Sequence, residues 1–539
     1  MRWPLPWRRT PPSPSSRGVG GGPLRDETGL RVLFLDRASR LRLGDGVGVV
    51  GPKAAVQPRR PRKYPPLVDL VVGQSASFPD PALQQLRAAG NHAPVVVLDD
   101  APISLGGPVD PALFWDRPSV SLRTFNPSGR RASSAGVAIG YRRPADDPDP
   151  AVSRAGTGVS PAVPDELRHL LADLPAARRS PSKQATGPVA LEDPWEDTSR
   201  EVQTARESAL EPIRAVVDHP GLHATPAHQA RWVTRLSASG IPVVAELSPH
   251  AEELLGPRLV AAIRDCRLPE LSDPHGWDAA SVRQRTAALG EHGAAHAWRA
   301  IARQLDVPTA PAPTISVLLA TNRPADLLDA VRRYAAFTYD RRELVVGLHG
   351  DGFPPGTDDQ VRAIAGDELT IRHVPADRNL GMVLGELTAC AGGDLVTKMD
   401  DDDLYAPTHL EDLVEAMRYS RATLVGKGSE FVYIAEIDTT IRRLVAGAES
   451  RSRSIGGGTL MIGRADLRTV GGWQRAPRAV DQRLMDDVVT NGGRIHRTHG
   501  FGFVLMRRAD GHTWSSDVDY FLRQAAQQWP GLAREAAGV

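Results

Sequence analysis

Four consecutive aspartates, Asp400 to Asp403, follow a short apolar run, 395–399, that is typical of a buried strand. A carboxylate cluster at the mouth of a strand needs a metal ion or a cationic ligand to offset its charge, and carboxylates suit hard cations such as Mg²⁺ and Mn²⁺. A solvated acidic loop is the alternative. Thr408 and Glu411 have the spacing of a capping box and predict that a helix begins next. The aspartates therefore occupy a strand-to-helix crossover, where open α/β sheets bind ligands beyond the carboxyl ends of their strands.

The residues before the aspartates alternate between strand and helix patterns. Three apolar runs, 314–320, 343–348 and 369–374, predict strands. Helical patterns follow the first run, over 327–334, and the third run, up to Gly392. This order is typical of a mostly parallel sheet flanked by helices, so we expect an α/β fold.

From about Pro313 to Trp514 the chain resembles a family 2 glycosyltransferase with the GT-A nucleotide-sugar fold, a Rossmann-like mixed sheet flanked by helices. The motifs that carry the resemblance come in the family's order. They are Thr321-x-Arg323-Pro324, Asn379-x-Gly381, Gly393-Asp394 leading into Asp400-x-Asp402, Gly456-Gly457-Gly458, Gly471-Gly472-Trp473, Asp481 at the start of a helix, and Gly511-His512-Thr513-Trp514. Each motif is weak alone, and their order over roughly 200 residues is what makes the signal specific.

The resemblance implies a divalent cation, Mn²⁺ or Mg²⁺, at the diphosphate of a nucleotide-sugar donor. Asp402, Asp400 and His512 are the implied metal ligands, and a structural or acceptor-side role is the alternative for His512. Asp403 is left open as a residue that caps the turn. The implied donor-binding residues are Thr321, Arg323, Asp351, Asn379, Asp400 and Asp401. A metal ion there would offset the charge that builds up on the departing nucleoside diphosphate.

The resemblance also implies a catalytic base, Asp481, at the start of a helix that faces the sugar. The base would take the proton of the acceptor hydroxyl during direct displacement at the anomeric carbon, which inverts the configuration. A helix N-cap is the alternative role of this aspartate. Residues of the loops near the sugar and the acceptor are expected to be Gly457, Gly458, Trp473 and Trp514.

The end of the second strand departs from the family pattern. Family members usually carry an aspartate there that reads the base of the donor, whereas this chain has His349 and, two residues on, Asp351. Gly385 also stands where many members carry asparagine. The departures leave the donor base and sugar unassigned.

The chain has 539 residues, which is long enough for two to three domains. We expect a disordered basic tail at 1–27, an N-terminal α/β region at 28–141, a Pro/Ala-rich linker at 142–200, an α/β-helical region at 201–310 and the GT-A domain at 311–539. Strands are predicted at 31–35, 67–73 and 95–98. The region 201–310 partly resembles the closing part of a GT-B glycosyltransferase half-domain, and a structural α/β domain that packs on the catalytic one is the alternative.

Composition excludes some partners. The formal net charge is +1, so no overall basic field favours nucleic acid. Cys266 and Cys390 lie far apart in helical patterns, which fits a reducing cytosol without a disulfide framework. No apolar stretch reaches the roughly 18 residues of a membrane span. We therefore expect a cytoplasmic protein, with peripheral contact at the inner face of the membrane left open.

The sequence favours a metal-dependent, inverting glycosyltransferase that acts in the synthesis of bacterial cell-envelope glycans or glycoconjugates. Its acceptor would be a glycan, a lipid-linked molecule or a small molecule. A non-catalytic GT-A module that binds sugar nucleotides or a protein partner is the first alternative. A nucleotidyltransferase is the second, although residues 321–324 are a poor match to the Gly-rich basic loop of that class.

Overall fold

The computed structural model describes residues 213–293, 296, 312–443, 448–476, 479–508 and 518–539. It also describes the short segments 32–34, 49–50, 70–73, 95–97, 139–142, 167, 169–170 and 188–191. His512 and Trp514, which the sequence analysis places in the site, lie outside the described residues, and so does the whole of the predicted tail.

The first two sheets are parallel and four-stranded. The first contains β1 (Val32–Phe34), β2 (Val49–Val50), β3 (Leu70–Gly73) and β4 (Val95–Val97), in the order β2-β1-β3-β4. The second contains β5 (Ile139–Arg142), β6 (Pro188–Leu191), β7 (Ala215–Asp218) and β8 (Val243–Ala245), in the order β6-β5-β7-β8. The three strands predicted before residue 100 are confirmed as β1, β3 and β4.

The predicted linker at 142–200 is wrong in its extent, because β6 lies inside it and pairs with β5. The Pro-rich composition hid this strand. β6 is an edge strand that begins at Pro188, and an edge position tolerates the missing N–H of proline. One parallel sheet therefore crosses both predicted boundaries, at 141 and at 200.

The residues described between 213 and 293 form the helices α1 (Pro226–Ala238), α2 (Pro249–Leu255), α3 (Pro257–Arg264) and α4 (Pro274–His292). Each begins with proline, whose fixed φ suits the first helical position. Thr225, Ser248 and Asp273 cap three of the helices by accepting the backbone N–H three residues on. Trp232 and Leu289 of this layer belong to the same apolar core as Leu327 and Leu413 of the C-terminal domain.

The centre of the C-terminal domain is an eight-stranded mixed sheet. Its strands are β9 (Ile315–Thr321), β10 (Arg342–His349), β11 (Leu369–Val374), β12 (Leu395–Met399), β14 (Leu424–Lys427), β17 (Ser450–Arg451), β18 (Met461–Gly463) and β19 (Ile495–Thr498). Their order is β11-β10-β9-β12-β18-β14-β19-β17. The strands β9 to β12 are parallel, and β18 pairs antiparallel with both β12 and β14.

The helices of this domain are α5 (Pro324–Ala335), α6 (Thr357–Ala365), α7 (Leu380–Cys390), α8 (His409–Ser420), α9 (Arg464–Thr469), α10 (Val480–Thr490), α11 (Val518–Leu522) and α12 (Arg534–Ala537). The helix predicted after the aspartates is confirmed as α8, but the capping box is wrong. Thr408 has a ψ of 3°, not the extended backbone of a capping residue, and its side chain makes no capping hydrogen bond.

A five-stranded sheet lies beside the aspartates. It contains β13 (Leu404–Tyr405), β15 (Phe431–Ile434), β16 (Thr439–Arg443), β20 (Phe503–Arg507) and β21 (Ala525–Pro530), in the order β13-β20-β15-β16-β21. Because β13 directly follows Asp403, its pairing with β20 fixes the carboxyl end of the aspartate run. Among the described residues, no helix combines the length and the apolar character that a membrane span requires.

Candidate active site

The aspartates lie where the sequence places them, at the carboxyl edge of the central sheet. The strands β9 and β12 are parallel neighbours, so residues that follow the two strands meet at one edge. Thr321, the last residue of β9, donates from its hydroxyl to the carboxylate of Asp401. The Nε atom of Arg323 lies 3.1 Å from Asp401 Oδ2, and its Nη2 donates to Oδ1. Asp401 is only 3% exposed, so internal donors occupy its carboxylate.

Asp402 is the next carboxylate along the edge. Its Oδ2 lies 2.7 Å from Nη1 of Arg323. The same guanidinium therefore binds Asp401 through one pair of nitrogens and Asp402 through the third. Such a fork between two carboxylates requires the planar geometry of arginine, which lysine does not provide.

Lys398 of β12 supplies the second cation of the edge. Its Nζ lies 2.9 Å from Asp400 Oδ1 and 3.2 Å from Asp481 Oδ2, and its side chain is 6% exposed. The sequence analysis missed this residue. The signal was present, because Lys398 is a charged residue inside a buried apolar strand and stands two positions before the aspartates. Lys398 connects the predicted metal ligand to the predicted base.

Asp403 does not cap the turn. Its Oδ1 accepts the backbone N–H of Met506 at 2.9 Å, while its buried Oδ2 has no hydrogen-bond partner in the part of the chain that the structure describes. Burial, together with the nearby charges of Asp400 and Asp402, raises its pKa well above the usual range. The carboxyl group of Asp403 thus links the aspartate run to β20 and leaves one oxygen unsatisfied.

Two glycines allow the carboxylates to approach a loop closely. A Cβ on Gly457 would lie 2.2 Å from Asp481 Oδ2. A Cβ on Gly458 would lie 2.7 Å from Asp400 Oδ2 and 3.1 Å from Asp403 Oδ2. The hydroxyl of Tyr405, another residue that the sequence analysis missed, donates to Gly458 O and accepts from Asp400 N, both at 2.9 Å. This loop therefore forms one wall of the acidic site.

Asp481 is the second residue of α10, which begins at Val480. The N-cap is Ala479, in the left-handed region with φ 57°, so the capping alternative for Asp481 is wrong. One carboxylate oxygen faces Lys398, and the other, Oδ1, is buried and has no hydrogen-bond partner among the described residues. Burial raises the pKa of Asp481, with Asp400 adding to that effect and Lys398 opposing it.

Three other predicted residues have local roles. The side chain of Asn379 caps α7 by accepting the N–H of Met382 at 3.1 Å. Trp473 is buried in an apolar core and donates to Thr388 Oγ1 at 2.9 Å, so the structure gives it a packing role in place of the expected sugar-loop role. Asp351 is exposed in the turn after β10. Neither its predicted donor contact nor that of Asn379 follows from this geometry, and both stay predictions.

The site has oxygen ligands for a hard cation. In the described part of the chain, no three or more His, Cys, Asp or Glu side chains are arranged to bind a metal ion. Mg²⁺-type ions, however, commonly use one or two carboxylates together with substrate phosphates. Asp400 and Asp402 provide that number, and the unpartnered oxygen of Asp403 lies beside Asp400. The donor set therefore fits a divalent cation that is shared with a diphosphate.

The mixed sheet and its flanking helices confirm the α/β class expected for the C-terminal part. The family model for glycosyl transferase family 2 matches residues 317–451, which include β9, Arg323 and all four aspartates. Residues 317–451 are therefore similar to glycosyl transferase family 2, in the region where the sequence analysis found the resemblance. No curated protein sequence matches the chain.

Solved structures of glycosyltransferases resemble part of the chain. One is the mannosyltransferase PcManGT from Pyrobaculum calidifontis in complex with GDP-Man and Mn²⁺, with 18% identity, a TM-score of 0.29, and coverage of 40% of this chain and 64% of that one. Another is S. aureus TarS 1-349 in complex with UDP-GlcNAc, with 15% identity, a TM-score of 0.30, and coverage of 38% and 62%. The chain thus spans less than two thirds of either structure.

Proposed function

We propose that this protein is a metal-dependent, inverting glycosyltransferase that moves a sugar from a nucleotide-diphosphate donor to an acceptor hydroxyl. The observation that carries the proposal is the position of Asp481. Its carboxylate lies within 3.2 Å of the lysine that also binds Asp400, and its second oxygen has no hydrogen-bond partner. A base and a carboxylate cluster thus share one edge of a family 2 domain.

Asp481 is suited to accept a proton. The side chain of Asp481 is 26% exposed, so an acceptor can reach it, and its raised pKa makes it a stronger base than an ordinary carboxylate. Lys398 holds Oδ2 of Asp481, which fixes the orientation of the carboxylate. Removing the proton as the hydroxyl attacks makes the oxygen a better nucleophile, and direct attack inverts the anomeric carbon.

Asp400 and Asp402 would hold the divalent cation, with His512 as a further predicted ligand outside the described residues. When bound, the ion supplies positive charge that stabilises the leaving diphosphate. Lys398 and Arg323 supply further positive charge at the same edge. The acceptor class, the envelope role and the cytoplasmic location remain predictions from the sequence.

The direct test is release of nucleoside diphosphate from a panel of nucleotide sugars, with Mn²⁺ and with candidate glycan and lipid-linked acceptors. NMR of the product then assigns its anomeric configuration. Turnover with inversion supports the proposal, and retention contradicts the role of Asp481. Tight donor binding without turnover with any acceptor would favour the non-catalytic alternative.

A further inference from the structure

Both carboxylates that would hold the cation already carry an internal counter-ion. Lys398 pairs with Asp400 at 2.9 Å, and Arg323 pairs with Asp402 at 2.7 Å. Within the described residues, the ion pairs to the four aspartates and Asp481 come from these two side chains. A metal ion that arrives alone must therefore compete with a guanidinium for Asp402.

The guanidinium of Arg323 contacts two carboxylates, and the one bound by Nη1 is more exposed than the one bound by Nε and Nη2. Nε and Nη2 bind Asp401, which is 3% exposed and also accepts from Thr321. Nη1 binds Asp402, whose side chain is 11% exposed and therefore easier for solvent or ligand to reach. Asp326 lies 3.6 Å from Nε and further restrains the guanidinium. The Nη1 edge is thus the one that can change partner while the arginine stays in place.

The charge balance of the site favours such an exchange. Asp403 is 2% exposed and keeps a carboxylate oxygen without a partner next to Asp400. Carboxyl groups therefore outnumber the cations that pair with them at this edge. A divalent cation improves the balance, whereas a diphosphate alone adds negative charge to an acidic site. We therefore expect the divalent cation and the diphosphate to bind more tightly together than either binds alone.

We propose that Arg323 couples metal binding to donor binding, an inference that rests on the proposed function. In the free protein its Nη1 occupies Oδ2 of Asp402 and so competes with the cation for this carboxylate. A donor diphosphate accepts from Nη1 and thereby releases Asp402. Each ligand then raises the affinity for the other by the same factor, because coupling between two binding sites is reciprocal.

The test measures Mn²⁺ affinity from the EPR signal of free Mn²⁺, with and without UDP or GDP. In the wild-type protein we expect the nucleotide to raise the Mn²⁺ affinity about tenfold or more, a coupling of ordinary size. Arg323→Gln should bind Mn²⁺ alone several-fold more tightly, and its coupling factor should be several-fold smaller than that of the wild type, because only the direct contact between metal and diphosphate still couples the two ligands. Arg332→Gln is the matched control, because Arg332 lies on α5 and its exposed side chain pairs with Asp329.

Arg323→Lys keeps the coupling test decisive if the glutamine variant does not fold. Lysine keeps the charge but lacks the planar fork that holds Asp401 with two nitrogens and Asp402 with the third, so we expect a coupling factor between those of the wild type and of the glutamine variant. A wild-type protein that binds Mn²⁺ equally well with and without nucleotide would overturn the inference. So would wild-type coupling in both folded variants.

The same titration separates this inference from the proposed function. If neither UDP nor GDP binds the wild-type protein at any Mn²⁺ concentration, the donor-binding function itself fails for these nucleotides. If a nucleotide binds and Arg323 variants leave the coupling unchanged, only the role of Arg323 fails.

Discussion

Two clusters of charged residues in the C-terminal domain differ in how completely their carboxylates are hydrogen-bonded. Glu449, at the contact with the preceding helices, accepts from Arg285, Tyr419 and His496 on one oxygen and from Thr498 and a backbone N–H on the other. At the aspartate edge, by contrast, Asp403 and Asp481 each keep an oxygen that has no hydrogen-bond partner among the described residues. The carboxylate of Glu449 thus has donors on both oxygens, whereas these two carboxyl groups do not.

The pKa values of the two clusters follow this difference. Burial alone would raise the pKa of Glu449, but Arg285 and His496 hold it well below its usual range. Burial does raise the pKa values of Asp403 and Asp481, since their partners do not compensate for it. A satisfied buried carboxylate stabilises the fold, whereas an unsatisfied one is held ready for a ligand or a proton.

The sharpest way to test the unsatisfied cluster is Asp481→Asn. Loss of the base should lower kcat about 10³-fold, while donor affinity changes less than about twofold. Stability should change little, because Lys398 keeps Asp400 as its counter-ion in the variant. Steady-state kinetics and donor titration measure the two effects. Asp486→Asn, an exposed change on the same helix, is the control, and wild-type turnover in Asp481→Asn would remove the base assignment.

A substitution in the cluster around Glu449 should lower the free energy of unfolding. Glu449→Ala leaves the guanidinium of Arg285, which is 6% exposed, without its carboxylate. We expect urea unfolding to show a loss of about 4 kcal/mol, because one partner of a buried ion pair has been removed. Glu253→Ala, whose exposed side chain pairs with the exposed His250, should change stability by less than about 0.5 kcal/mol. Equal small losses in both variants would contradict the comparison.

Glu430 is another buried carboxylate of this domain, and its raised pKa makes the stability of the protein depend on pH. Burial raises its pKa from 4.5 to about 7, with Asp278 adding to the shift and Arg442 opposing it. Because the pKa of Glu430 is higher in the folded protein than in the unfolded chain, its protonation stabilises the fold. This stabilisation is complete below pH 4.5 and is lost as the pH rises through 7. The free energy of unfolding should therefore fall over this range.

In Glu430→Gln the fall in the free energy of unfolding over this pH range should be smaller by on the order of 2 kcal/mol, because the amide does not ionise. Arg442 keeps a partner in the variant, since Asp278 lies 2.6 Å from it. Urea unfolding at several pH values measures the slope. The exposed Glu436→Gln is the control, and an unchanged slope in Glu430→Gln would show that this carboxylate does not titrate in the range.

Sequence patterns predicted the elements that depend on short-range signals. The bounds of β11 and β12 agree with their apolar runs, and the aspartates follow β12 as expected. Lys398 was missed because its pairing with Asp481 joins residues 83 positions apart. The core position of Trp473 likewise depends on packing against α7, which carries Thr388. The local pattern marks Lys398 only as a charged residue in an apolar strand, and long-range pairing and burial decide which partners Lys398 and Trp473 have.

The central claim is that the aspartate edge binds a nucleotide-sugar donor through a metal ion. The most direct measurement is thermal unfolding of the wild type and of Asp402→Ala with nucleoside diphosphates and nucleotide sugars, each with and without Mn²⁺. A ligand that binds only the native state raises the melting temperature. We expect a Mn²⁺-dependent shift for at least one donor in the wild type and none in Asp402→Ala. An equal shift in both proteins, or none in a well-folded wild type, would contradict it.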